Sequence, residues 1–355
     1  MLFFYNNNVS LHQFNLWNRW YNTEGLPSFL WPFANWDGQH YLLLSDWGYN
    51  LFQDSRAFFP FYPMAIKLVN LVVNNTYLSA LLLNLVVSYL FLGYFYNYAI
   101  HYIEKEKVVK SMILIVCFPA SFFMTAFYAE AMFLFLIFAF LYYYDSRKSY
   151  WSLLFAFLLP LAKGQAFYVM LSILVLIVIR LFKREKINYK YEASNLLAFI
   201  GGGMAYLAFF YFTTGDAFSG IQAQNHFVFN LKLENAINIP RFVEYLFSPS
   251  SAFFAYENSL IDKMFILIAL ILILVTCQSK RTVWFVFYLL LSYPIASLGM
   301  GGSFTRFALM LVPFFCLSFF SYRNLNNYVF GLICTVMLLL QIVFIYRFSL
   351  NLWVG

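Results

Sequence analysis

The stretch Phe33-Ala34-Asn35-Trp36-Asp37-Gly38-Gln39-His40-Tyr41 sets one carboxylate among aromatic and small residues, just ahead of a long series of apolar segments. A carboxylate there is close to water, yet its ring neighbours lower the local dielectric. Asp37 is therefore well sited to act as a general base. Asp-Gly is also a common turn pair, and the motif alone leaves both readings open. Three more charged residues stand where apolar segments end. Glu130, in Tyr128-Ala129-Glu130-Ala131, either lines an outward cavity or favours the N-terminus of the following helix. Lys163, in Ala162-Lys163-Gly164-Gln165, is either a cation for a phosphate or a snorkelling anchor. Arg306 opens a helix after Gly301-Gly302-Ser303, where a cation opposes the macrodipole. That conflict favours a task such as holding a lipid phosphate.

Other chemistries find little support. The histidines His12, His40, His101 and His226 show no metal-ligand spacing, so no metal site is expected. His40 is three residues from Asp37 and could share its pocket. No glycine-rich phosphate loop is present, which argues against ATP or NAD chemistry. Cys117, Cys277, Cys316 and Cys334 all lie in apolar runs and are expected as buried thiols without disulfides.

The elements that must position these groups are membrane helices. Of 355 residues, 63% are hydrophobic and 10% charged, with 46 Phe, 28 Tyr and 8 Trp. The mean hydropathy is +0.71. These values, with apolar runs near bilayer length, predict an all-α polytopic membrane protein. Residues 58–73 read as an interfacial helix, marked by aromatics, prolines and Lys67. Spans are expected near 77–99, 108–123, 127–144, 149–162, 165–182, 195–212, 259–277, 283–299, 304–320 and 327–347, about ten in all. Gly201-Gly202-Gly203 lies inside one of them and suits close helix packing.

The loops at 101–110, 145–149, 180–194, 278–282 and 321–327 hold 13 of the 22 Lys and Arg. The positive-inside rule makes their face cytoplasmic. Asp37, the turn at 119–130, Lys163, the long loop 213–258 and the turn at 299–306 then share the opposite face. The net charge of +7 is what such basic loops produce and does not indicate nucleic-acid binding. The chain thus divides into a non-cytoplasmic segment 1–76, a transmembrane bundle 77–347 that includes the loop 213–258, and a tail 348–355. No signal peptide is visible in the opening residues.

Four stretches, in order, resemble the GPI mannosyltransferase II (PIG-V-like) family and its prokaryotic relatives. They are Trp36-Asp37-Gly38-Gln39-His40-Tyr41 with Trp47-Gly48-Tyr49, and Ala57-Phe58-Phe59-Pro60-Phe61-Tyr62-Pro63. Phe118-Pro119-Ala120-Ser121-Phe122-Phe123 with Tyr128-Ala129-Glu130 follows, then Thr214-Gly215-Asp216-Ala217-Phe218 with Gln222-Ala223-Gln224. The resemblance implies a GT-C glycosyltransferase bundle with interfacial helices in its first external loop. It implies a sugar, mannose, taken from a polyprenyl-phosphate donor on the non-cytoplasmic side, with the catalytic base at Asp37. Such families carry a membrane helix before that loop, which is expected to be missing here. Ala129 stands where serine is frequent, and Lys163 where arginine is.

On this reading Asp37 deprotonates an acceptor hydroxyl for inverting displacement, and Lys163 or Arg306 stabilises the departing phosphate. Gln222 and Gln224 hold sugar hydroxyls, and His40, Arg56 and Glu130 complete the substrate- and donor-binding set. No cofactor or obligatory metal is expected. The partners are the bilayer, the lipid-linked sugar and a glycan, lipid or protein acceptor. The membrane is a prokaryotic plasma membrane, or the endoplasmic reticulum in a eukaryote. A flippase or exporter would show internal pseudo-symmetry, and no repeat is found. An O-antigen ligase or polymerase would favour a cation-rich external loop, and 213–258 has only Lys232 and Arg241.

Overall fold

A backbone that enters lipid must bond to itself, and helices do so within one segment. The computed structural model of the chain describes residues 28–50, 53–227, 239–255, 258–276 and 304–354. Its first half holds α1 (Asp37–Trp47), α2 (Phe61–Val73), α3 (Thr76–Ala99), α4 (Lys105–Cys117), α5 (Glu130–Asp145), α6 (Ser149–Ala162) and α7 (Ala166–Phe182). Then come α8 (Tyr189–Thr214), α9 (Ser219–Phe227), α10 (Ile239–Phe247), α11 (Leu260–Thr276), α12 (Phe304–Ala308), α13 (Val312–Phe320) and α14 (Asn327–Ser349). Outside the helices, one isolated bridge joins Ala252 and Ser259.

Three of the described helices, α3, α8 and α14, are long and apolar enough to cross a membrane, with 24, 26 and 23 residues. Each begins at an asparagine side chain that accepts an otherwise orphaned amide: Asn75 from Leu78, Asn188 from Tyr191 and Asn326 from Tyr328. The chain is thus a helical membrane protein, but the described helices of spanning length fall short of the ten expected. The stretches expected at 127–144, 149–162, 165–182 and 259–277 are helices of 16, 14, 17 and 17 residues. The span expected at 283–299 lies outside the described residues, as do residues 1–27 and Cys277.

Two expected spans are broken, and proline explains both. The run 108–123 is helical only to Cys117, because Phe118 precedes Pro119 and is held extended. Ser121–Met124 then forms one 3-10 turn before α5 begins at Glu130. Irregular backbone at this depth needs partners. Ser88 Oγ donates to the Met124 carbonyl at 3.0 Å, the Asn84 amide donates to that of Ala126, and Gln341 donates to Val116 and Phe118 at 3.1 Å. The run 304–320 splits into α12 and α13, with Pro313 in the first turn of α13.

α5 is the axis of the bundle. Twelve of its 16 residues are buried, including Phe133, Leu134, Ile137 and Phe138. A helix apolar on every side has to be encased, and α3 and α6 pack on it directly. α8 lies against α6 so closely that a Cβ at Gly202 would overlap the Phe157 carbonyl. α2 buries Tyr62, Pro63 and Ile66 and exposes Met64, Leu68, Leu71 and Val72. Cys117, Cys316 and Cys334 are buried free thiols.

The two ends of α5 carry opposite polar clusters. At its C-terminal end, buried Glu192 accepts from Arg147 at 2.9 Å and from Arg180 at 3.3 Å, so two of the basic loops meet on one face. Glu130 opens its N-terminal end, roughly 24 Å away by helix rise.

Candidate active site

Asp37 is placed by the backbone just before it. Trp36 has φ 56°, a left-handed conformation that a bulky side chain adopts at a cost. The turn is held from several sides. The Asp37 amide donates to Tyr128 Oη at 3.2 Å, and that hydroxyl donates to the Asn35 carbonyl at 3.0 Å. Asn35 Nδ2 donates to the Phe348 carbonyl at 2.7 Å, which ties the turn to the end of α14. The Phe127 amide donates to the Phe33 carbonyl at 2.9 Å. A Cβ at position 38 would stand 3.0 Å from that same carbonyl oxygen, so only glycine follows Asp37 without displacing the loop. Trp353 of the tail meets Trp36 edge-on at 5.1 Å.

Four charged side chains converge beside this turn. Arg306 Nη1 donates to Asp37 Oδ2 at 2.6 Å, and Lys163 Nζ donates to Glu130 Oε1 at 2.7 Å. Arg306 Nε lies 3.5 Å from Glu130 Oε1, which joins the two pairs into one cluster. Two cations thus balance two carboxylates. The Asp37 side chain is 29% exposed and that of Glu130 only 2%. Asp37 is therefore the member open to an incoming hydroxyl. Glu130 Oε2 is buried and has no hydrogen-bond partner among the described residues. The Arg306 guanidinium is packed among the rings of Phe307, Tyr128 and Phe123, at 4.8, 5.3 and 5.8 Å. Lys163 lies over Phe307 at 5.3 Å. Burial pushes the Lys163 ammonium below its ordinary range, the Glu130 charge resists, and the Arg306 charge adds to the lowering.

Of the residues singled out from the sequence, Asp37, Glu130, Lys163 and Arg306 come together. Glu130 opens α5, the helix-terminus reading, and accepts from Lys163. Arg306 lies in the last turn of the five-residue α12, so the expected macrodipole conflict does not arise, and it faces two carboxylates. The others make different contacts. Arg56 Nε donates to the Tyr49 carbonyl at 3.0 Å, and the Gln224 amide donates to that of Ala57. Gln222 is exposed on α9. Tyr128 and Asn35 were not singled out, although both orient Asp37. Tyr128 stands two residues from Glu130 in a quoted motif, the one signal that pointed to it.

His40 is 4% exposed, within hydrogen-bond distance of Ser55 Oγ at 2.9 Å and stacked on Phe58 at 4.7 Å. Burial lowers its pKa from 6.5 to about 4, with Asp37 and Asp54 acting against the shift. The folded state therefore binds this proton less readily than the unfolded chain. The stability it contributes is complete above pH 6.5 and is lost as pH falls toward 4, about 3 kcal/mol across that window. Thermal unfolding in detergent at about pH 7 and pH 4.5 measures this. His40→Asn should show a smaller fall than the wild type, and equal falls would refute the assignment.

Comparison with curated proteins finds no match to the chain. Comparison with protein families finds one that matches residues 23–212, described as mannosyltransferase (PIG-V). That match takes in Asp37, Glu130 and Lys163 and ends before Arg306. It covers more than half of the sequence, and the helices of spanning length suit a membrane enzyme. The chain belongs to the PIG-V mannosyltransferase family and is a membrane glycosyltransferase.

Proposed function

We propose that this enzyme moves mannose from a polyprenyl-phosphate carrier to a hydroxyl of a lipid, glycan or protein acceptor, on the non-cytoplasmic face of a prokaryotic plasma membrane. Asp37 is the general base. It takes the acceptor proton as the acceptor oxygen attacks the anomeric carbon, and the bond from that carbon to the phosphate oxygen breaks with inversion. The negative charge that develops on the departing phosphate falls to Arg306 and Lys163. The reaction is read as metal-independent. The full chain is read as a GT-C bundle of about ten spans.

The observation that carries this reading is the 2.6 Å contact of Asp37 with Arg306 inside a four-charge cluster. The contact occupies only part of the guanidinium fork, and Arg306 Nε makes no hydrogen bond among the described residues. A phosphate can therefore bind Arg306 and draw its charge away from Asp37.

The donor class is tested in proteoliposomes supplied with radiolabelled polyprenyl-phosphate mannose or with a nucleotide-linked mannose. Label should pass to an acceptor from the lipid donor alone. Equal transfer from the nucleotide sugar, with no lipid carrier present, would overturn the donor assignment.

A further inference from the structure

Arg306 comes from a segment with little means of holding itself. α12 is five residues long, a single turn, and a turn of that length is not stable alone. What holds it is a carboxylate from another helix. Asp262 Oδ1 accepts the Thr305 amide at 2.8 Å and the Thr305 hydroxyl at 2.7 Å. Asp262 and Thr305 are both fully buried. Asp262 is itself anchored, because it lies in the first turn of α11, whose start is pinned by two backbone bonds. The Leu260 amide donates to the Ala252 carbonyl at 3.0 Å and the Ile261 amide to that of Phe253 at 3.1 Å.

Two donors from one residue on one oxygen fix both the position of the α12 backbone and its rotation. The next residue is Arg306, whose guanidinium must reach Asp37 and Glu130 together. A buried carboxylate is costly to keep, so its use here marks a position where geometry matters. We propose that Asp262, acting through Thr305, is a positioning residue that aims Arg306 at the donor phosphate. This rests on the reading of Arg306 as a phosphate-binding cation.

The test is a variant cycle in proteoliposomes with radiolabelled polyprenyl-phosphate mannose. Asp262→Ala should lower kcat/KM by about 10- to 100-fold, the loss expected from misplacing a reacting group by about an ångström. Asp262→Asn should restore most of it, because an amide oxygen accepts both Thr305 donors. In an Arg306→Ala background, Asp262→Ala should cost nothing further, since there is no guanidinium left to aim. A further loss of similar size in that background would show a merely structural role and overturn the proposal, as would wild-type kinetics in Asp262→Ala. If Asp262→Ala does not accumulate in the membrane, Thr305→Val carries the same comparison with a smaller loss. Wild-type transfer by Arg306→Ala alone would instead refute the phosphate reading on which this one stands.

Discussion

Asp37→Asn should lower mannosyl transfer by about a thousandfold, within the range a positioned general base contributes. The substitution is nearly isosteric. The Asp37 backbone amide, which donates to Tyr128, is untouched, and the amide oxygen of asparagine can still accept from Arg306 Nη1. Folding should therefore survive and the loss should lie in chemistry. The measurement is transfer from radiolabelled polyprenyl-phosphate mannose in reconstituted membranes. Transfer near the wild-type rate would remove Asp37 from the proposed role.

Arg306→Ala should have the second large effect, on stability and activity together. The variant leaves the Asp37 carboxylate without its 2.6 Å partner and Glu130, 2% exposed, with Lys163 alone. Breaking a buried pair from one side costs about 3–5 kcal/mol. The partial exposure of Asp37 places the expected loss at the lower end of that range. On the proposed mechanism, in which Arg306 stabilises the departing phosphate, the variant should also lower kcat by about 100- to 1,000-fold. Arg306→Lys separates the two effects. It restores one positive charge, so the unfolding temperature should recover in large part. It also loses the planar fork and much of the contact with three rings, so transfer should remain depressed. Full recovery of transfer in that variant would count against a phosphate held by the guanidinium.

How far such features could be read in advance varied along the chain. Asp37 was visible because it sits in a short motif beside residues of marked type. Glu130 and Lys163 were visible because a charge at the end of an apolar run needs a reason. Asp262 is equally buried, but no local motif marks it, since its partner Thr305 lies 43 positions further on. The breaks at Phe118 and at 309–311 were missed for a related reason. Hydropathy continues across Phe118–Pro119 and across 309–311, although the α-helical backbone does not, because hydropathy records side-chain transfer and carries no information on backbone donors.

The sequence by itself determined that this chain is helical, that it belongs in a membrane and which family it joins. Those properties follow from composition and from motifs within one segment, where neighbours along the chain are also neighbours in space. Only the tertiary structure decided that Arg306 pairs with Asp37 across 269 positions, that Lys163 closes on Glu130, and that Arg56 and Gln224 bond to backbone carbonyls. Contacts of that kind form when separate helices pack. Their geometry depends on the volumes of the intervening side chains and on where proline bends the path, and no periodicity in the sequence records them.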